Sequence, residues 1–231
     1  MKEKVVVFSG AGVSAESGLR TFRDMDGYWN EYSIEEVASP QAWKKDPATV
    51  LAFYNERRAA VINAQPNAAH IAIARLEEKF DVVVITQNVD DLHERAGSSR
   101  VIHLHGEIMK ARSPIDASLV YRLDRPTIEI GDLCEKGSQL RPHVVWFGEE
   151  VRYMDEASGH FAQAGKILAA GTSLTVYPAA GLVNKAEFSA EKYFVAPEIE
   201  NAPFGYRFMR GKAASVIPYV IECWLEGSKP S

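Results

Sequence analysis

Short apolar runs alternate along the chain with longer segments in which apolar residues recur at helical spacing. Each run ends at a glycine or at polar residues, which is typical of buried strands in a parallel sheet. The predicted strands are Val5–Phe8, Asp81–Thr86, Val101–Leu104, His143–Phe147, Ile167–Ala170 and Tyr193–Val195. The predicted helices cover residues 13–18, 34–61 with breaks near Pro40 and Pro47, 67–80, 154–164, 176–187 and 213–226. This alternation predicts an α/β fold with a Rossmann-like, doubly wound parallel sheet.

Residues 110–143 show no strong pattern and contain several prolines and glycines, so we expect a small lobe inserted into the sheet domain. We place this lobe approximately at residues 28–66 and 107–143 of a single domain that spans residues 1–231. The tail, residues 227–231, is expected to be loose.

The composition excludes several classes of function. Of the 231 residues, 46% are hydrophobic and 25% charged, as in ordinary globular proteins. The net charge of −5 lacks the basic excess of nucleic-acid-binding surfaces, and no apolar run is long enough to cross a membrane. The opening MKEKVVVFSG has no apolar leader segment. We therefore expect a cytoplasmic protein that binds neither nucleic acid nor membranes.

A glycine motif follows the first predicted strand. Residues 10–15, GAGVSA, fit the pattern G-x-G-x-x-[GA] where a strand gives way to a helix. Gly10 permits a tight turn, and Gly12 lets the backbone approach a pyrophosphate at the helix N-terminus. A purely structural glycine turn is the alternative. No acidic residue ends a second strand about 20 residues further on, as it would in an ordinary dehydrogenase.

Polar turns also follow the later strands. Residues 86–90, TQNVD, offer an amide pair and a carboxylate that can hydrogen-bond ribose hydroxyls and a carboxamide. A helix cap before Leu92 is the alternative. Gly171-Thr172-Ser173 forms another turn of small donors. Because the carboxyl ends of parallel strands meet at one edge of a sheet, these turns predict a shared cleft.

His103 and His105 lie two positions apart after the third strand, so both side chains can line one face. A two-histidine metal site would need further ligands, and a buried, hydrogen-bonded histidine is the commoner arrangement. His105, next to Gly106 at the rim of the sheet, is the better candidate for a general base.

Five longer blocks of sequence contain these motifs: GAGVSAESGLRTFRDMDGYW, TQNVDDLHERAG, HLHGE, RPHVVWFGE and GTSLTVYPAAG. Together they resemble the signature blocks of the sirtuins, the NAD-dependent protein lysine deacylases. The resemblance covers residues 4–225, and the segments GLRTFR and FYNERR resemble the bacterial class III branch. It implies one catalytic domain, NAD as the cofactor, and acylated-lysine proteins or peptides as substrates.

The resemblance also implies roles for individual residues. His105 would be the general base and Asn88 a second catalytic residue. The cofactor-binding residues that it implies are Gly10, Ala11, Gly12, Ala15, Phe22, Arg23, Gln87, Asn88, Asp90, Gly171, Thr172, Ser173 and Ala213. The substrate-binding residues that it implies are Tyr54, Arg57, Val145, Phe147 and Gly148. The last three, with Glu149, resemble a block that pairs an extended substrate peptide by strand addition.

Two features depart from the family pattern. Sirtuins usually bind a structural zinc in the small lobe through two cysteine pairs, whereas residues 110–141 retain only Cys134. The other cysteine, Cys223, cannot complete a four-thiolate site, so we expect no zinc and a lobe held by packing alone. The usual Asn-Leu-Glu block near the adenosine is Ala196-Pro197-Glu198 here, which leaves its ribose contact open.

Tyr54 and Arg57 indicate an acyl preference. They lie three positions apart in a predicted helix and therefore share a face. A guanidinium grips a carboxylate by two parallel hydrogen bonds and a tyrosine hydroxyl adds a third, so succinyl or malonyl groups are expected to be preferred over acetyl. The class III resemblance places this pair at the floor of the acyl pocket. A solvated helix face, in which Arg57 and Arg58 pair with Glu56, is the alternative.

Two other functions stay open. One is an NAD-dependent oxidoreductase, which the missing acidic strand end disfavours. The other is a catalytically weak protein that binds NAD or ADP-ribose, which the missing cysteines and the missing asparagine would suit.

Overall fold

The structure is a computed structural model that describes residues 2–21, 28–29, 32–198 and 202–231. Its strands are β1 Lys4–Ser9, β2 Tyr28–Trp29, β3 Tyr32–Ser33, β4 Asp81–Thr86, β5 Val101–His103, β6 Gly106–Arg112, β7 Val120–Arg122, β8 Arg141–Val144, β9 Lys166–Ala170, β10 Glu191–Ala196 and β11 Arg207–Arg210. Its α-helices are α1 Gly12–Ala15, α2 Ile34–Val37, α3 Pro40–Lys45, α4 Pro47–Asn63, α5 Ala68–Arg75, α6 Leu92–Arg95, α7 Met154–Gln163 and α8 Ala213–Glu226. Short 3-10 segments cover Leu76–Glu78 and Ala179–Lys185. Among these helices, none is both long and apolar enough to cross a membrane.

The main sheet is parallel and is covered on both faces. Its strand order is β11-β10-β9-β1-β4-β5. Val5 and Val7 of β1 face a layer that contains α5 and α8, whereas Val6 and Phe8 face a layer that contains α7. Consecutive apolar residues are therefore required in β1, because both of its faces are buried. The predicted doubly wound parallel sheet is confirmed.

A small antiparallel sheet of order β7-β6-β8 forms a lobe beside the main sheet. Ile108 of β6 and Val144 of β8 pack with Ile34 of α2 and Phe53 of α4 in one apolar cluster. The sequence pattern did not predict β6 and β7, because β6 is only partly buried and its pairing with β8 is irregular. A strand with one interrupted apolar face gives only a weak alternation signal.

The breaks predicted near two prolines are helix starts. Pro40 and Pro47 each occupy the first turn of a helix, where a missing N–H group costs no hydrogen bond. The side chain of Ser39 caps α3 through the Ala42 N–H (3.2 Å), and Asp46 caps α4 through the Thr49 N–H (3.1 Å).

Other elements also differ from the prediction. The strand expected at residues 143–147 is β8, which ends at Val144 because the following N–H groups find partners outside the β6–β8 ladder. The helix expected at residues 176–187 is a short 3-10 segment, since Pro178 and Gly181 disfavour a regular α-helix. The edge strand β11 was missed because its short sequence, RFMR, carries charged residues at both ends.

The C-terminal tail was expected to be loose, but the structure anchors it. Pro230 is buried, and its carbonyl accepts hydrogen bonds from the Tyr193 hydroxyl (3.3 Å) and from the Arg207 guanidinium (2.6 Å). The polar composition of the tail hides these contacts, because both donors lie on strands far away in the sequence.

Candidate active site

A cleft of about 1310 Å³ opens at the carboxyl ends of β1, β4 and β9 and extends to the small lobe. Residues 196–198 also line it. Phe22 and Arg23 lie outside the described residues. The other predicted site residues all line this cleft: Gly10, Ala11, Gly12, Ala15, Tyr54, Arg57, Gln87, Asn88, Asp90, His105, Val145, Phe147, Gly148, Gly171, Thr172, Ser173 and Ala213.

Gly10 and Gly12 bring the turn after β1 against the turn after β9. The Gly10 N–H donates to the Ala170 carbonyl (3.0 Å), and the Gly12 N–H donates to the Gly171 carbonyl (2.8 Å). A Cβ atom on Gly12 would lie 2.8 Å from Gly171 Cα, closer than real Cβ contacts allow. The glycines therefore serve a close approach of two backbones, and the N–H of Gly12 is used within the protein.

Groups that can bind an anion lie beside this junction. The N–H groups of Ala11 and Thr172 have no hydrogen-bond partner in the part of the chain that the structure describes. Thr172 and Ser173 add two hydroxyl groups at the same rim. Backbone N–H groups and hydroxyls on adjacent turns suit phosphate oxygens, so this cradle fits the pyrophosphate of NAD.

Ser14 is the centre of a buried polar network below the cleft. Its hydroxyl donates to Asp90 Oδ2 (3.0 Å) and accepts from Asn88 Nδ2 (3.1 Å). Asp90 Oδ1 accepts from the Leu92 N–H (3.2 Å), so the helix-cap alternative describes part of what this carboxylate does. Burial raises the pKa of Asp90. Ser14 holds the amide nitrogen of Asn88, and the amide oxygen, which has no hydrogen bond within the described residues, can accept one from a ligand.

Two buried histidines extend this network, and the sequence analysis missed both. His70 lies with Nε2 3.4 Å from the Ser14 hydroxyl, and its Nδ1 accepts from the Asn67 N–H (3.3 Å). His93 Nε2 lies 2.9 Å from the Ser9 hydroxyl, and the two rings meet edge-on at 4.9 Å. Burial lowers the pKa of His70 to about 4 and that of His93 well below its ordinary value, so both are neutral. His70 stands in the otherwise apolar pattern of α5, and His93 stands in the short polar helix α6, so neither position gave a signal of a buried polar contact.

His105 is oriented by a backbone carbonyl. Its Nδ1 lies 3.0 Å from the Gln87 carbonyl oxygen. Because a carbonyl oxygen can only accept, Nδ1 carries the proton and Nε2 keeps a free lone pair. Burial lowers the pKa of His105, with the Gln87 hydrogen bond opposing, so the ring is neutral near pH 7.

His103 has a different role from His105. Its Nδ1 donates to the Asn88 carbonyl (2.9 Å), and its Nε2 donates to Glu94 Oε1 (2.7 Å). Burial alone would lower the pKa of His103, but the hydrogen bond and the charge of Glu94 raise it above its ordinary value. Ile102 and Leu104 both pack in the layer that contains α7, which leaves His103 and His105 on the opposite side, but only His105 borders the cleft. His103 is a charged anchor for the backbone of Asn88.

Tyr54 and Arg57 lie on one face of α4 in the wall that the small lobe contributes. The Tyr54 ring is only 6% exposed and meets Phe53 edge-on at 4.8 Å. The Arg57 guanidinium lies 5.6 Å from the centre of the Phe53 ring. Burial lowers the pKa of Arg57. An arginine with a lowered pKa still carries its charge near neutral pH, so a cation and a phenol lie together in this wall of the cleft.

Arg58 does not form a solvated face with Arg57. It is fully buried, and it donates to the carbonyls of Ile108 (2.7 Å) and Pro126 (3.0 Å). That alternative is therefore wrong for Arg58, which ties α4 to the small sheet.

The predicted peptide-binding segment, residues 145–148, uses most of its N–H groups internally. The Val145 N–H donates to the His105 carbonyl (2.9 Å), and the Phe147 N–H donates to the Ala38 carbonyl (3.0 Å). The Gly148 N–H has no partner among the residues described. Strand addition along this segment would thus depend on Gly148 and on carbonyl oxygens.

The small lobe is closed by polar contacts as well as by packing. Cys134 Sγ lies 3.5 Å from the Ser113 hydroxyl, and Lys136 pairs with Asp116 at 2.7 Å. The expectation of packing alone is therefore wrong. Within the described ranges, no group of three or more His, Cys, Asp or Glu side chains is arranged to hold a metal ion.

Comparison with known proteins matches this arrangement to one family. Residues 10–178 match the model of the Sir2 family. An NAD-dependent protein deacylase of Helicobacter pylori (strain ATCC 700392 / 26695) is 52% identical over 200 residues, which cover 87% of each chain. One of Escherichia coli (strain K12) is 43% identical over 236 residues, covering 99% of this chain and 84% of the relative. A crystal structure of a Sir2 homologue–NAD complex superposes with a TM-score of 0.88 at 42% identity, covering 98% of this chain and 91% of the other. The chain belongs to the Sir2 family.

Proposed function

We propose that this protein is an NAD-dependent deacylase of protein lysines that prefers acidic acyl groups such as succinyl and malonyl. The names of its relatives support the reaction class. The observation that carries the proposal is the neutral His105, whose free Nε2 belongs to the same cleft as the anion cradle and the Tyr54–Arg57 wall.

The cleft offers each part of NAD a set of groups. The pyrophosphate would lie at the N–H groups of Ala11 and Thr172, and the adenosine would lie near Ala213. Gln87 would hold the ribose, with Asn88 and Asp90 beside the nicotinamide. When bound, NAD supplies an electrophilic ribose carbon and a nicotinamide leaving group.

The residues of the chain position the reactants and move one proton. The Ser14 network fixes the Asn88 amide and the Asp90 carboxylate before any ligand arrives. His105 can take up a proton only at Nε2, because the Gln87 carbonyl holds the proton of Nδ1. The side-chain network is already formed in this structure, so little reorganisation would be needed when the substrates bind.

The acyl group would enter beside α4. Arg57 would pair with an acyl carboxylate, and the Tyr54 hydroxyl would donate a further hydrogen bond. The wall around them is apolar, with Phe53, Ile108 and Val144 in the same cluster. A carboxylate that leaves water for such a wall requires a paired cation, and Arg57 supplies it.

The test is a panel of acetyl, malonyl and succinyl peptides of one sequence, incubated with NAD and analysed by mass spectrometry. We expect free lysine peptide, nicotinamide and acyl-ADP-ribose in equal amounts, with higher kcat/KM on the acidic acyl peptides. NAD binding without nicotinamide release would instead indicate a binding protein. The appearance of NADH absorbance would indicate an oxidoreductase.

We also propose that the chain is one catalytic domain, with its small lobe approximately at residues 28–66 and 107–143, and that the lobe works without zinc. The absence of a need for zinc is supported by the Asp116–Lys136 ion pair and the Cys134–Ser113 hydrogen bond. Both contacts connect segments of the part of the lobe that retains Cys134.

A further inference from the structure

The predicted peptide-binding segment leads into a tight turn over residues 146–149. The Glu149 N–H donates to the Trp146 carbonyl (3.0 Å), and Gly148 takes the third position of the turn with a φ of 87°. A positive φ at that position is typical of a type II β-turn. A Cβ atom on Gly148 would meet no described atom within 4 Å beyond its chain neighbours, so the backbone conformation, and not a lack of space, favours glycine. How the free Gly148 N–H is presented therefore depends on how this turn is held.

The side chain of Glu149 holds the beginning of the turn to which its own backbone belongs. The Glu149 carboxylate accepts a hydrogen bond from the Trp146 backbone N–H (2.8 Å). Both backbone polar groups of Trp146 are thereby bonded to Glu149, the N–H to the side chain and the carbonyl to the backbone. The turn cannot open without breaking these two bonds.

Two arginines fix the position of this carboxylate. Arg141 donates to both Glu149 oxygens, at 2.7 and 3.0 Å, and Arg112 donates to both, at 3.1 and 3.0 Å. The Arg141 guanidinium carbon also lies 3.1 Å from the centre of the Trp146 ring. Burial alone would raise the pKa of Glu149, but the hydrogen bonds from Arg141 and from the Trp146 N–H lower it, so the carboxylate is ionised at neutral pH. We refer to Arg112, Glu149 and Arg141 as the carboxylate clamp.

Stability alone does not account for three charged side chains at this place. Arg141 is buried, and Arg112 and Glu149 are largely so. The desolvation of such ions offsets much of their attraction, and an apolar cluster of similar volume is often as stable. Charge-assisted hydrogen bonds differ from apolar contacts because they impose a direction on the groups that they join. The carboxylate clamp therefore fixes the geometry of a backbone turn in the wall of the cleft.

We propose that Glu149 is a positioning residue for the substrate peptide, because the carboxylate clamp holds the turn in the conformation that keeps the Gly148 N–H free for a backbone carbonyl of that peptide. Gly148 lies in the lining of the cleft, and the N–H groups of Val145, Trp146 and Phe147 are already bonded within the protein. The clamp would thus act on the backbone that flanks the acyl-lysine and not on the acyl group. This inference rests on the proposed deacylase reaction and is independent of the proposed acyl preference.

The test compares two substrates that differ in their backbone. One is an acyl-lysine peptide, and the other is an acylated pentylamine, which carries the same acyl amide on an alkyl chain without peptide groups. Both carry the acyl group on which the parent is most active. Glu149→Gln retains the size of the side chain and removes its charge. We expect the ratio of kcat/KM on the peptide to kcat/KM on the pentylamine to fall about three- to tenfold, the range of one neutral hydrogen bond, chiefly through the KM of the peptide.

Gly148→Ala tests the turn independently of the clamp. Alanine disfavours a φ of 87°, so this variant should lower the same ratio. If Glu149 and Gly148 act through one hydrogen bond to the peptide, the double variant should lose no more than the larger of the two single losses.

Glu191→Gln is the matched control. The side chain of Glu191 is 18% exposed, against 20% for Glu149, and its carboxylate also accepts from three groups: the Lys166 ammonium, the Tyr193 hydroxyl and the Trp224 indole N–H. Glu191 lies outside the lining of the cleft, so its variant should leave the substrate ratio unchanged. If Glu149→Gln does not fold, Arg112→Gln removes one cation of the clamp and leaves the Arg141 bonds, and it should lower the ratio by less.

The outcomes separate this inference from the proposed function. An unchanged ratio in Glu149→Gln, or equal losses on both substrates, would overturn the positioning role and leave the proposed reaction intact. Additive losses in the double variant would overturn the positioning role as well. A parent protein that releases nicotinamide with neither substrate would overturn the proposed function and this inference with it.

Discussion

His105 Nδ1 lies 3.0 Å from the carbonyl oxygen of Gln87, a residue that itself borders the cleft. This single contact sets the protonation state of the ring, because the carbonyl requires a donor at Nδ1 and leaves Nε2 as the acceptor. The neighbouring Asn88 carbonyl makes the equivalent contact to His103, but there Glu94 occupies the second nitrogen. Two histidines on adjacent backbone carbonyls therefore have opposite chemistry, one a neutral base and the other a charged anchor.

We predict that His105→Ala reduces deacylation by roughly a hundredfold or more, the usual scale for a lost general base, and leaves NAD binding largely intact. His103→Ala should be milder in kcat, because it loosens the Asn88 backbone without removing the base. Steady-state kinetics and calorimetric NAD titration of both variants would measure this difference. An essential His103 with a dispensable His105 would reverse the assignment.

We predict that kcat/KM is independent of pH above the ordinary histidine pKa and falls only on the acid side. Burial lowers the pKa of His105, so the base is unprotonated through the neutral range and loses activity as pH drops below 6.5. A pH profile on one peptide at saturating NAD would show it. A loss of activity centred above pH 7 would contradict the conclusion that His105 is neutral near pH 7.

We predict that Arg57→Met lowers kcat/KM on succinyl peptides about ten- to a hundredfold and leaves the acetyl peptide nearly unaffected. A charge-assisted hydrogen bond to a desolvated carboxylate contributes about 1.5–3 kcal/mol, which gives this range. Arg75→Met is the matched control, since Arg75 is an exposed arginine paired with Glu222 away from the cleft. Equal losses on both peptides would indicate that Arg57 contributes to packing and not to acyl selectivity.

The part of the site that follows strand ends could be predicted from the sequence. The glycine motif, TQNVD and the turn at Gly171 are continuous stretches, and the rule that parallel strands end at one edge places them together. His105 was chosen over His103 on the same ground, namely its position next to Gly106 at the rim.

The supporting contacts could not be predicted, because they join residues far apart in the sequence. The Ser14 hydroxyl meets Asp90, 76 positions away, and Glu149 meets Arg112, 37 positions away. Because arginines are mostly exposed, a solvated face was the alternative for Arg58, whereas the carbonyls of Ile108 and Pro126 accept its hydrogen bonds in the interior. A local pattern carries no information about which distant backbone group will satisfy a buried cation.

We predict that the purified protein contains no stoichiometric zinc and keeps its unfolding temperature in chelator. Asp116→Asn should lower the stability of the small lobe, because Lys136 loses its partner beside Cys134. Elemental analysis and thermal unfolding with and without chelator would measure these effects. Lys110→Met, which breaks the Glu107–Lys110 pair on β6, is the matched control and should change the unfolding temperature less. One zinc per chain would require ligands outside this arrangement.

We predict that His70 makes the protein less stable in acid. Burial lowers its pKa from 6.5 to about 4, so the unfolded chain binds a proton that the folded chain refuses. The stability that depends on neutral His70 is therefore present above pH 6.5 and is lost as pH falls toward 4, by about 3 kcal/mol in all. Glutamine at position 70 cannot be protonated. As pH falls from 6.5 toward 4, the free energy of unfolding of His70→Gln should therefore rise relative to that of the parent by up to that amount.

Urea unfolding of both proteins at pH 7.5, 5.5 and 4.5 would measure that difference. The variant also loses the Ser14 contact, but this loss is the same at every pH and does not affect how the difference changes with pH. His160→Gln is the control. His160 lies on α7 and is only partly buried. Burial lowers the pKa of His160 too, but the difference in free energy of unfolding between His160→Gln and the parent should change less with pH. A difference between parent and His70→Gln that stays constant from pH 7.5 to 4.5 would mean that His70 accepts its proton in the folded protein as readily as in the unfolded chain. The conclusion that His70 is neutral in the folded protein would then be wrong.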